Sequence, residues 1–279
     1  MDLSEMNTKI EQIVTAIQQE IAQMPQREAL KQVWEERKEL EALLHNKDNL
    51  LLMIAGNIGL GKTTAGSIIG TFGKIPEINE PLDNPLLKLY YENMGRYAEP
   101  LQIDLINWRL WQLVLHLKER KTSLVSDRTH YEDPYVFCEA LCKTGLMSED
   151  SRDFCQRYFQ MKKDRLERDY TVSLTPDLVI FLSADIETGW NRCQNRGREM
   201  EIRDDATLGV GLPREFYQAL HQEYDIFKEK MPQLYPGPTL FLPQDKVEVV
   251  DATNTKGQLY VVRSVKEALK IAVHHREQS

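Results

Sequence analysis

The first 48 residues carry two apolar stripes with helical spacing. Apolar side chains recur every three or four residues along the first stripe, at Leu3, Met6, Ile10, Ile13, Ile17, Ile21 and Met24. Pro25 ends this stripe, because proline cannot continue a helical hydrogen-bond ladder. The second stripe comprises Leu30, Val33, Trp34, Leu40, Leu43 and Leu44. The pattern predicts a helical hairpin over residues 1–48 that packs on a main domain, with a dimer contact or a partner-binding helix as alternatives.

From residue 49 onwards, short apolar runs alternate with longer helical stretches. The run 50–55 is continuously apolar, as in a buried parallel strand. Further strands are predicted at 122–126, 177–182 and 246–250. Helices are predicted at 63–71, 100–121, 134–143, 148–170, 186–195, 213–230 and 257–275. This alternation predicts an α/β domain over residues 49–279, with helices on both faces of a parallel sheet.

Composition excludes several classes of protein. The 279 residues include 35 Lys and Arg against 43 Asp and Glu, for a formal net charge of −8. Nonspecific nucleic-acid binding needs a basic surface, so we expect no nucleic-acid partner. The longest apolar run, 50–55, is far shorter than the roughly 20 residues of a membrane-spanning helix. The first five residues also lack the pattern of a secretory signal, so the prediction is a cytoplasmic protein without a membrane partner.

Four cysteines are present, at Cys138, Cys142, Cys155 and Cys193. None forms a C-x-x-C pair, and no set of cysteines and histidines has zinc-finger spacing. Disulfides are rare in the cytosol, so these residues are predicted to be reduced thiols that are mostly buried.

Residues 56–63 match the phosphate-loop pattern G-x-x-x-x-G-K-[ST] at every fixed position. An apolar strand precedes the loop and a helix follows it, as the pattern requires. The backbone N–H groups would surround phosphate oxygens, with Lys62 on the β and γ phosphates and the Thr63 hydroxyl on Mg²⁺. The predicted nucleotide-binding set is Gly56, Asn57, Ile58, Gly59, Leu60, Gly61, Lys62, Thr63 and Thr64.

A phosphate loop alone does not separate a kinase from a GTPase or a motor ATPase. The base-reading pattern N-K-x-D of GTPases is missing from the chain. A small-molecule kinase needs a base for the acceptor hydroxyl, a second Mg²⁺ ligand and an arginine-rich lid. Candidates for all three occur in the chain, at Glu80, at Asp127-Arg128-Thr129, and at Arg192, Arg196 and Arg198.

Together with Tyr91, Gln102 and residues 135–137, this ordered set resembles the deoxynucleoside kinase family. The stretches 80–85, 127–133 and 145–149 resemble the bacterial deoxyadenosine and deoxyguanosine kinases in particular. The resemblance extends from about residue 50 to the C-terminus and leaves out the hairpin. It implies a P-loop kinase fold with a parallel sheet of about five strands. It also implies a role in nucleotide salvage, the transfer of the ATP γ-phosphoryl group to a deoxynucleoside 5′-hydroxyl with Mg²⁺.

The resemblance assigns roles at the reacting centre. Glu80 would accept the proton of the 5′-hydroxyl, and Arg128 would position the 5′-oxygen. Asp127 would hold Mg²⁺ together with Thr63. In the lid, Arg196 and Arg198 would clamp the phosphates.

The resemblance also assigns the substrate and nucleotide pockets. Tyr91 and Glu201 would bind the sugar 3′-hydroxyl. Gln102 would pair with the base edge, and Phe137 would stack on the base. Arg109 and Asp133 would read the polar groups of the base, which favours a purine deoxynucleoside or deoxycytidine over thymidine. At the nucleotide, Arg192 would stack on the adenine, near the loop that contains Asp251.

Family members often form homodimers through a helix bundle, so the resemblance also implies a dimer. Trp108, Trp111 and Leu115 could contribute to that contact or belong to the core. Two other functions remain open. A nucleoside monophosphate kinase would need a basic site for the acceptor phosphate near Glu80, and no such site is evident in the sequence. A non-catalytic structural subunit would be expected to lose Lys62, Glu80 or Arg128, and this chain keeps all three.

Overall fold

The computed structural model describes residues 2–46, 49–196, 211–243 and 254–278. In these residues, five parallel strands form one sheet with the order β2-β3-β1-β4-β5. The strands are β1 (Leu51–Ala55), β2 (Glu77–Ile78), β3 (Leu124–Asp127), β4 (Leu178–Ser183) and β5 (Thr239–Pro243). The predicted parallel α/β sheet of about five strands is therefore confirmed.

Helices cover both faces of this sheet. The α-helices in the described part of the chain are α1 (Leu3–Gln23), α2 (Gln26–His45), α3 (Lys62–Gly73), α4 (Pro85–Glu92), α5 (Met94–Val114), α6 (Cys138–Lys143), α7 (Glu149–Tyr170), α8 (Ile186–Asn195), α9 (Arg214–Leu234) and α10 (Thr255–Gln278). Two π-helical segments, Leu115–Arg120 and Asp133–Phe137, extend α5 and precede α6.

Some elements differ from the sequence prediction. The fifth strand is Thr239–Pro243, a short apolar run between prolines that we did not predict, whereas the predicted strand 246–250 lies outside the described residues. Helix α5 starts before Pro100 and includes this proline in its interior. Burial of Met94 and Ala98 on its first turns stabilises a helix that the proline alone would disfavour.

The sheet separates two apolar cores. Alternate side chains of a strand point to opposite faces, so Leu51 and Met53 of β1 pack on one side while Leu52 and Ile54 pack on the other. The pocket-side core contains the buried faces of α4, α5, α7 and α9. The hairpin-side core contains those of α1, α2, α3 and α10.

The N-terminal hairpin is part of the hairpin-side core. Met6 of α1 and Leu40 of α2 are fully buried there. Ion pairs tie the hairpin to α10, from Arg263 to Glu36 at 2.7 Å and from Lys266 to Glu39 at 2.7 Å. The hairpin therefore packs on the α/β domain, as the sequence predicted. The domain boundary at residue 48 stays a prediction.

Two further observations bear on the sequence predictions. All four cysteines lie among the described residues and none is in a disulfide; Cys138, Cys155 and Cys193 are buried and Cys142 is partly exposed. Among the described helices, none is both long enough and apolar enough to cross a bilayer.

Candidate active site

The phosphate loop connects the end of β1 to the start of α3. Gly56 and Gly59 have φ angles of 143° and 84°, which residues other than glycine rarely adopt. A Cβ atom on Gly56 would lie 2.6 Å from the Leu182 carbonyl oxygen, and one on Gly59 would lie 2.5 Å from that of Gly189. Backbone conformation and close packing therefore both require glycine at these two positions.

Lys62 folds back over the phosphate loop. Its Nζ donates to the carbonyl oxygens of Gly56 at 2.8 Å and Asn57 at 2.9 Å, and the side chain is buried. Burial, aided by the charge of Arg128, lowers the Lys62 pKa to about 8 against the opposing effect of nearby carboxylates. The ammonium group is therefore held by the loop that would surround the phosphates.

Thr63 and Asp127 present oxygen ligands beside the loop. The Thr63 hydroxyl donates to Asp127 Oδ2 at 2.6 Å. The other carboxylate oxygen, Asp127 Oδ1, is buried and has no hydrogen-bond partner in the described structure. No group of three or more potential protein ligands occurs among the described residues. Mg²⁺ commonly takes only one or two protein ligands beside phosphates and waters, so these two side chains fit such an ion.

Glu80 and Arg128 meet at the carboxyl end of the sheet, where open α/β sheets bind ligands. Glu80 lies two residues after β2, and Arg128 directly follows β3. The Arg128 Nε donates to Glu80 Oε1. Burial favours the neutral acid, but the charges of Arg128 and Lys62 outweigh it and hold the pKa of Glu80 well below its ordinary value. The carboxyl group is therefore ionised at neutral pH.

A cavity of about 640 Å³, counting its open mouth, lies beside this pair. The space enclosed within it is about 60 Å³, below the usual range for small-molecule pockets, so a bound ligand would have to move the lining side chains apart. The cavity brings together predicted site residues from separate stretches of the chain, from the phosphate loop to the end of α8. Its lining comprises Ile58, Glu80, Pro81, Leu82, Leu87, Tyr90, Tyr91, Leu101, Gln102, Leu105, Arg128, Asp133, Phe137, Arg196 and Phe216.

A buried ion pair lies at the cavity wall. Arg109 Nε donates to Asp133 Oδ2 at 2.9 Å, and both side chains are almost fully buried. Arg109 Nη1 also donates to the carbonyl oxygen of Asp127 at 3.1 Å. Asp133 lines the cavity directly, with Arg109 behind it. A ligand in the cavity would therefore contact the Asp133 carboxylate, which Arg109 holds in place.

Gln102 and Phe137 also line the cavity. Gln102 is buried, and its Oε1 has no hydrogen-bond partner among the described residues. The guanidinium of Arg128 lies 4.7 Å from the centre of the Phe137 ring. Phe137 therefore supports Arg128 in the structure, and the predicted stacking on a base stays a prediction.

Two of the predicted lid arginines are described, and both belong to the end of α8. Arg192 is on its last turn, and Arg196 immediately follows the helix and lines the cavity. The remaining predicted residues, Arg198, Glu201 and Asp251, lie outside the described residues. Their predicted contacts remain predictions.

Comparison with known proteins assigns the chain to a family. The sequence profile of the deoxynucleoside kinases matches residues 52–270. The chain belongs to the deoxynucleoside kinase family. This kinase is accordingly a phosphotransferase whose acceptor is an alcohol group of a deoxynucleoside. The resemblance that the ordered motifs predicted is confirmed.

Curated relatives agree with the family assignment. The deoxyadenosine kinase of Lactobacillus acidophilus is 30% identical over 227 residues, which cover 79% of this kinase and 96% of that protein. The deoxyadenosine/deoxycytidine kinase of Bacillus subtilis is 28% identical over 188 residues, covering 65% and 77%. The deoxyguanosine kinase of Lactobacillus johnsonii is 27% identical over 222 residues, covering 78% and 93%.

Solved structures support the fold of the kinase. A deoxyadenosine kinase from M. mycoides with bound dATP has a TM-score of 0.57 and is 24% identical. The match covers 73% of this chain and 94% of that one. At this identity the likeness shows a shared fold, in agreement with the five-stranded parallel sheet.

Sequence reasoning missed two residues that contact the predicted centre of the kinase. Glu132 is fully buried, and its carboxylate contacts both Arg128 and the phosphate loop. Tyr224 of α9 bonds to both Glu132 and Arg128. Glu132 could have been suspected, because it is an acidic residue only four positions after Arg128. No local sequence signal distinguishes Tyr224 from the other aromatic residues of α9.

Proposed function

We propose that this kinase transfers the γ-phosphoryl group of ATP to the 5′-hydroxyl of a purine deoxynucleoside or deoxycytidine. The observation that supports this most strongly is the position of the Glu80–Arg128 pair. Arg128 reaches the carbonyl oxygen of Gly56 at the start of the phosphate loop, and both Glu80 and Arg128 line the cavity. An acceptor hydroxyl bound at this pair would therefore lie next to the phosphates of ATP.

The proposed mechanism depends mainly on position and charge, because phosphoryl transfer needs little covalent chemistry from the protein. Ionised Glu80 would accept a hydrogen bond from the 5′-hydroxyl and then its proton. A carboxylate with a lowered pKa is a weak base, so proton transfer would come late, as the new P–O bond forms. Arg128 and Lys62 would stabilise negative charge on the transferring group.

We include Mg²⁺ in this proposal, with Thr63 and Asp127 as its protein ligands. The unpartnered Asp127 Oδ1 and the adjacent Thr63 hydroxyl support this assignment. When bound, Mg²⁺ would neutralise charge on the phosphate oxygens of ATP.

The buried Arg109–Asp133 pair supports the proposed choice of base. A base that leaves a buried polar group unpaired is strongly disfavoured, whereas one that completes its hydrogen bonds is accepted. The buried Gln102 Oε1 adds an acceptor for an amino group on the base edge. Adenine and cytosine carry such an amino group and thymine does not. Relatives named for deoxyadenosine, deoxycytidine and deoxyguanosine are consistent with this range.

The remaining site residues complete the proposal. Tyr91, which lines the cavity, and Glu201 would bind the sugar 3′-hydroxyl. Arg196 and Arg198 would clamp the phosphates from the lid side. Arg192 would stack on the adenine of ATP, near Asp251.

A substrate panel tests the proposed function. The purified kinase is incubated with ATP·Mg²⁺ and each of the four deoxynucleosides or their monophosphates, and ADP release is measured. Turnover of deoxyadenosine, deoxyguanosine or deoxycytidine is expected, with little for thymidine. Lys62→Ala serves as the control for contaminating kinases. Turnover of monophosphates without nucleosides would contradict the proposal and favour a nucleoside monophosphate kinase.

The proposal extends to a homodimer through the outer surface of α5, of α7 and of the π-helical segment Leu115–Arg120 that follows α5. Four large apolar side chains are exposed on these segments, namely Trp111, Leu115, Phe154 and Met161. Exposed apolar groups of this kind are typical of protein interfaces. Light scattering after size exclusion is expected to give twice the chain mass for the wild type.

A matched pair of variants locates the contact. Trp111→Glu should give a monomer, because it places a charge in the proposed interface. Trp34→Glu should stay dimeric, although Trp34 is 56% exposed against 42% for Trp111. A monomer from Trp34→Glu and a dimer from Trp111→Glu would instead assign the contact to the hairpin.

A cytoplasmic location also belongs to this proposal. Four cysteines that form no disulfide suit a reducing compartment, where disulfides are rare. Fractionation of cells that express the kinase is expected to recover it with the cytosol.

A further inference from the structure

Behind the cavity wall, a buried polar cluster connects three parts of the fold. Its centre is the fully buried carboxylate of Glu132. Glu132 Oε1 accepts hydrogen bonds from the Tyr224 hydroxyl at 2.6 Å and from the Gly56 N–H at 3.3 Å. Glu132 Oε2 accepts from the Thr129 N–H at 2.5 Å. One carboxylate therefore joins the phosphate loop, the end of β3 and helix α9.

The same cluster holds the guanidinium of Arg128. Arg128 Nη1 donates to the Tyr224 oxygen at 2.8 Å and to Glu132 Oε1 at 3.3 Å. Tyr224 can serve both neighbours, because its hydroxyl donates to Glu132 while its oxygen accepts from Arg128. On its other edge, Arg128 Nε donates to Glu80. The guanidinium is thus held between two carboxylates, one inside the cavity and one behind it.

The backbone of Arg128 needs such support. Its φ angle is 79°, in the left-handed region that residues other than glycine rarely adopt. Strained backbone of this kind persists only where the surroundings enforce it, and it occurs frequently at functional sites. Here the bond from the Thr129 N–H to Glu132 constrains the peptide that follows Arg128.

From these contacts we infer that Glu132 and Tyr224 are positioning residues, which hold Arg128 at a fixed distance from the phosphate loop and share its charge with Glu80. Without Glu132, Glu80 becomes the principal counter-charge of Arg128. The guanidinium then moves closer to Glu80 and competes with the acceptor hydroxyl for this carboxylate. Glu132 itself does not line the cavity, so its effect on the reaction passes through Arg128.

The inference rests on the proposed role of Arg128, and a double-mutant cycle separates the two. Glu132→Gln should lower kcat by about 10- to 100-fold, since it weakens charged hydrogen bonds to Arg128. The KM for the deoxynucleoside should change by less than about 3-fold, because the cavity wall is intact. In an Arg128→Ala background, Glu132→Gln should lower kcat no further.

Glu223→Gln is the matched control. Glu223 is the neighbour of Tyr224 on α9, its side chain is only 4% exposed, and it pairs with Lys143 instead of Arg128. Its kcat should equal that of the wild type. An equal loss in Glu223→Gln and Glu132→Gln would reveal a general effect of buried charge removal and overturn the inference.

The other outcomes are also decisive. If Arg128→Ala keeps the wild-type kcat, the proposed function of Arg128 fails. If Arg128→Ala lowers kcat and adding Glu132→Gln lowers it further by the same factor as in the wild type, only the inference fails. Should Glu132→Gln not fold, Tyr224→Phe replaces it in the same cycle, because it removes one bond to Arg128 without removing a charge. A wild-type kcat in Tyr224→Phe would then overturn the inference.

Discussion

The two faces of the sheet are built differently. On the pocket side, charged groups lie inside the protein, including Arg109, Arg128, Glu132 and Asp133. On the hairpin side, the core is almost entirely apolar, and the ion pairs lie at its edge. Lys266, which is itself buried, pairs there with Glu39, whose side chain is 60% exposed.

This difference indicates that one face of the sheet forms the functional site, whereas the other mainly stabilises the fold. Buried charges cost desolvation energy and are often no more stabilising than apolar residues of the same size. Their concentration on one face marks the functional site. The other face contributes apolar burial, the main stabilising term in folding. Variants on the two faces should therefore have distinguishable effects.

The largest effect on stability is expected from Asp133→Ala. It leaves Arg109 buried without its partner, which should lower the free energy of unfolding by about 3–5 kcal/mol. Denaturant unfolding measures the loss. The control is the double variant Arg109→Met with Asp133→Leu, which should recover much of the stability yet lose discrimination against thymidine. A stable Asp133→Ala protein with unchanged base selectivity would contradict this account of the ion pair.

Leu40→Ala tests the opposite face. Leu40 of α2 is fully buried in the hairpin-side core, so its truncation should lower the free energy of unfolding by about 2–5 kcal/mol. Under conditions where the variant is folded, kcat should match the wild type. A substantial loss of kcat in the folded protein would show that the hairpin contributes to catalysis.

Lys62 provides a test through pH. With a pKa of about 8, it loses its proton as pH rises from 7 to 9. ATP affinity should fall about tenfold over this range, or about 1.4 kcal/mol, because the neutral amine no longer attracts phosphate. Calorimetric titration with ATP measures this change. In Lys62→Arg, which stays charged, affinity should be independent of pH over the same range.

As pH rises, Lys62 should increase the free energy of unfolding while it decreases ATP affinity. The folded-state pKa of Lys62 is below its ordinary value of 10.5, so the unfolded chain binds more protons between these two values. The contribution of Lys62 to the free energy of unfolding without nucleotide therefore rises as pH increases from about 8 to 10.5. The Lys62→Arg protein serves as the reference, and a decrease relative to it would contradict the lowered pKa.

The smallest effect is expected from Lys270→Ala at the edge of the hairpin-side core. Lys270 is 47% exposed and pairs with Glu267 at 2.9 Å. Exposed pairs of this kind contribute about 0–1 kcal/mol, so the unfolding free energy should change by no more than that. The kcat should be unchanged. A loss as large as that of Leu40→Ala would show that these ion pairs stabilise the hairpin as much as the apolar core does.

Local patterns in the sequence were enough to predict much of the fold. Strands β1 and β4 are continuous apolar runs. The phosphate loop, which joins β1 to α3, has its fixed residues at a defined spacing. Strand β5 was missed because its few apolar residues lie among prolines, and its strand character comes from pairing with β4. The two-residue strand β2 is too short to give an apolar pattern of its own, and it is a strand because it pairs with β3.

The candidate site was predictable to a similar extent. Glu80, Arg128 and Asp133 follow strand ends or belong to ordered motifs, and the structure brings them to one cavity. The contact between Glu132 and Tyr224 joins residues 92 positions apart. Such a contact depends on how α9 packs against the sheet, which local patterns do not specify. The sequence therefore identified residues that the structure brings to one cavity, but it missed the buried residues that contact them.

The most direct test of the central claim is phosphoryl transfer by Glu80→Gln. Single-turnover rates are measured at saturating ATP·Mg²⁺ and deoxynucleoside, with ATP affinity determined separately. Glu77→Gln is the control, because Glu77 of β2 is close in sequence but bonds to Ser67 outside the cavity. The account predicts a loss of about 10²- to 10⁴-fold in Glu80→Gln, with ATP binding retained and Glu77→Gln unaffected. A near-normal rate in Glu80→Gln would contradict it and require a different base.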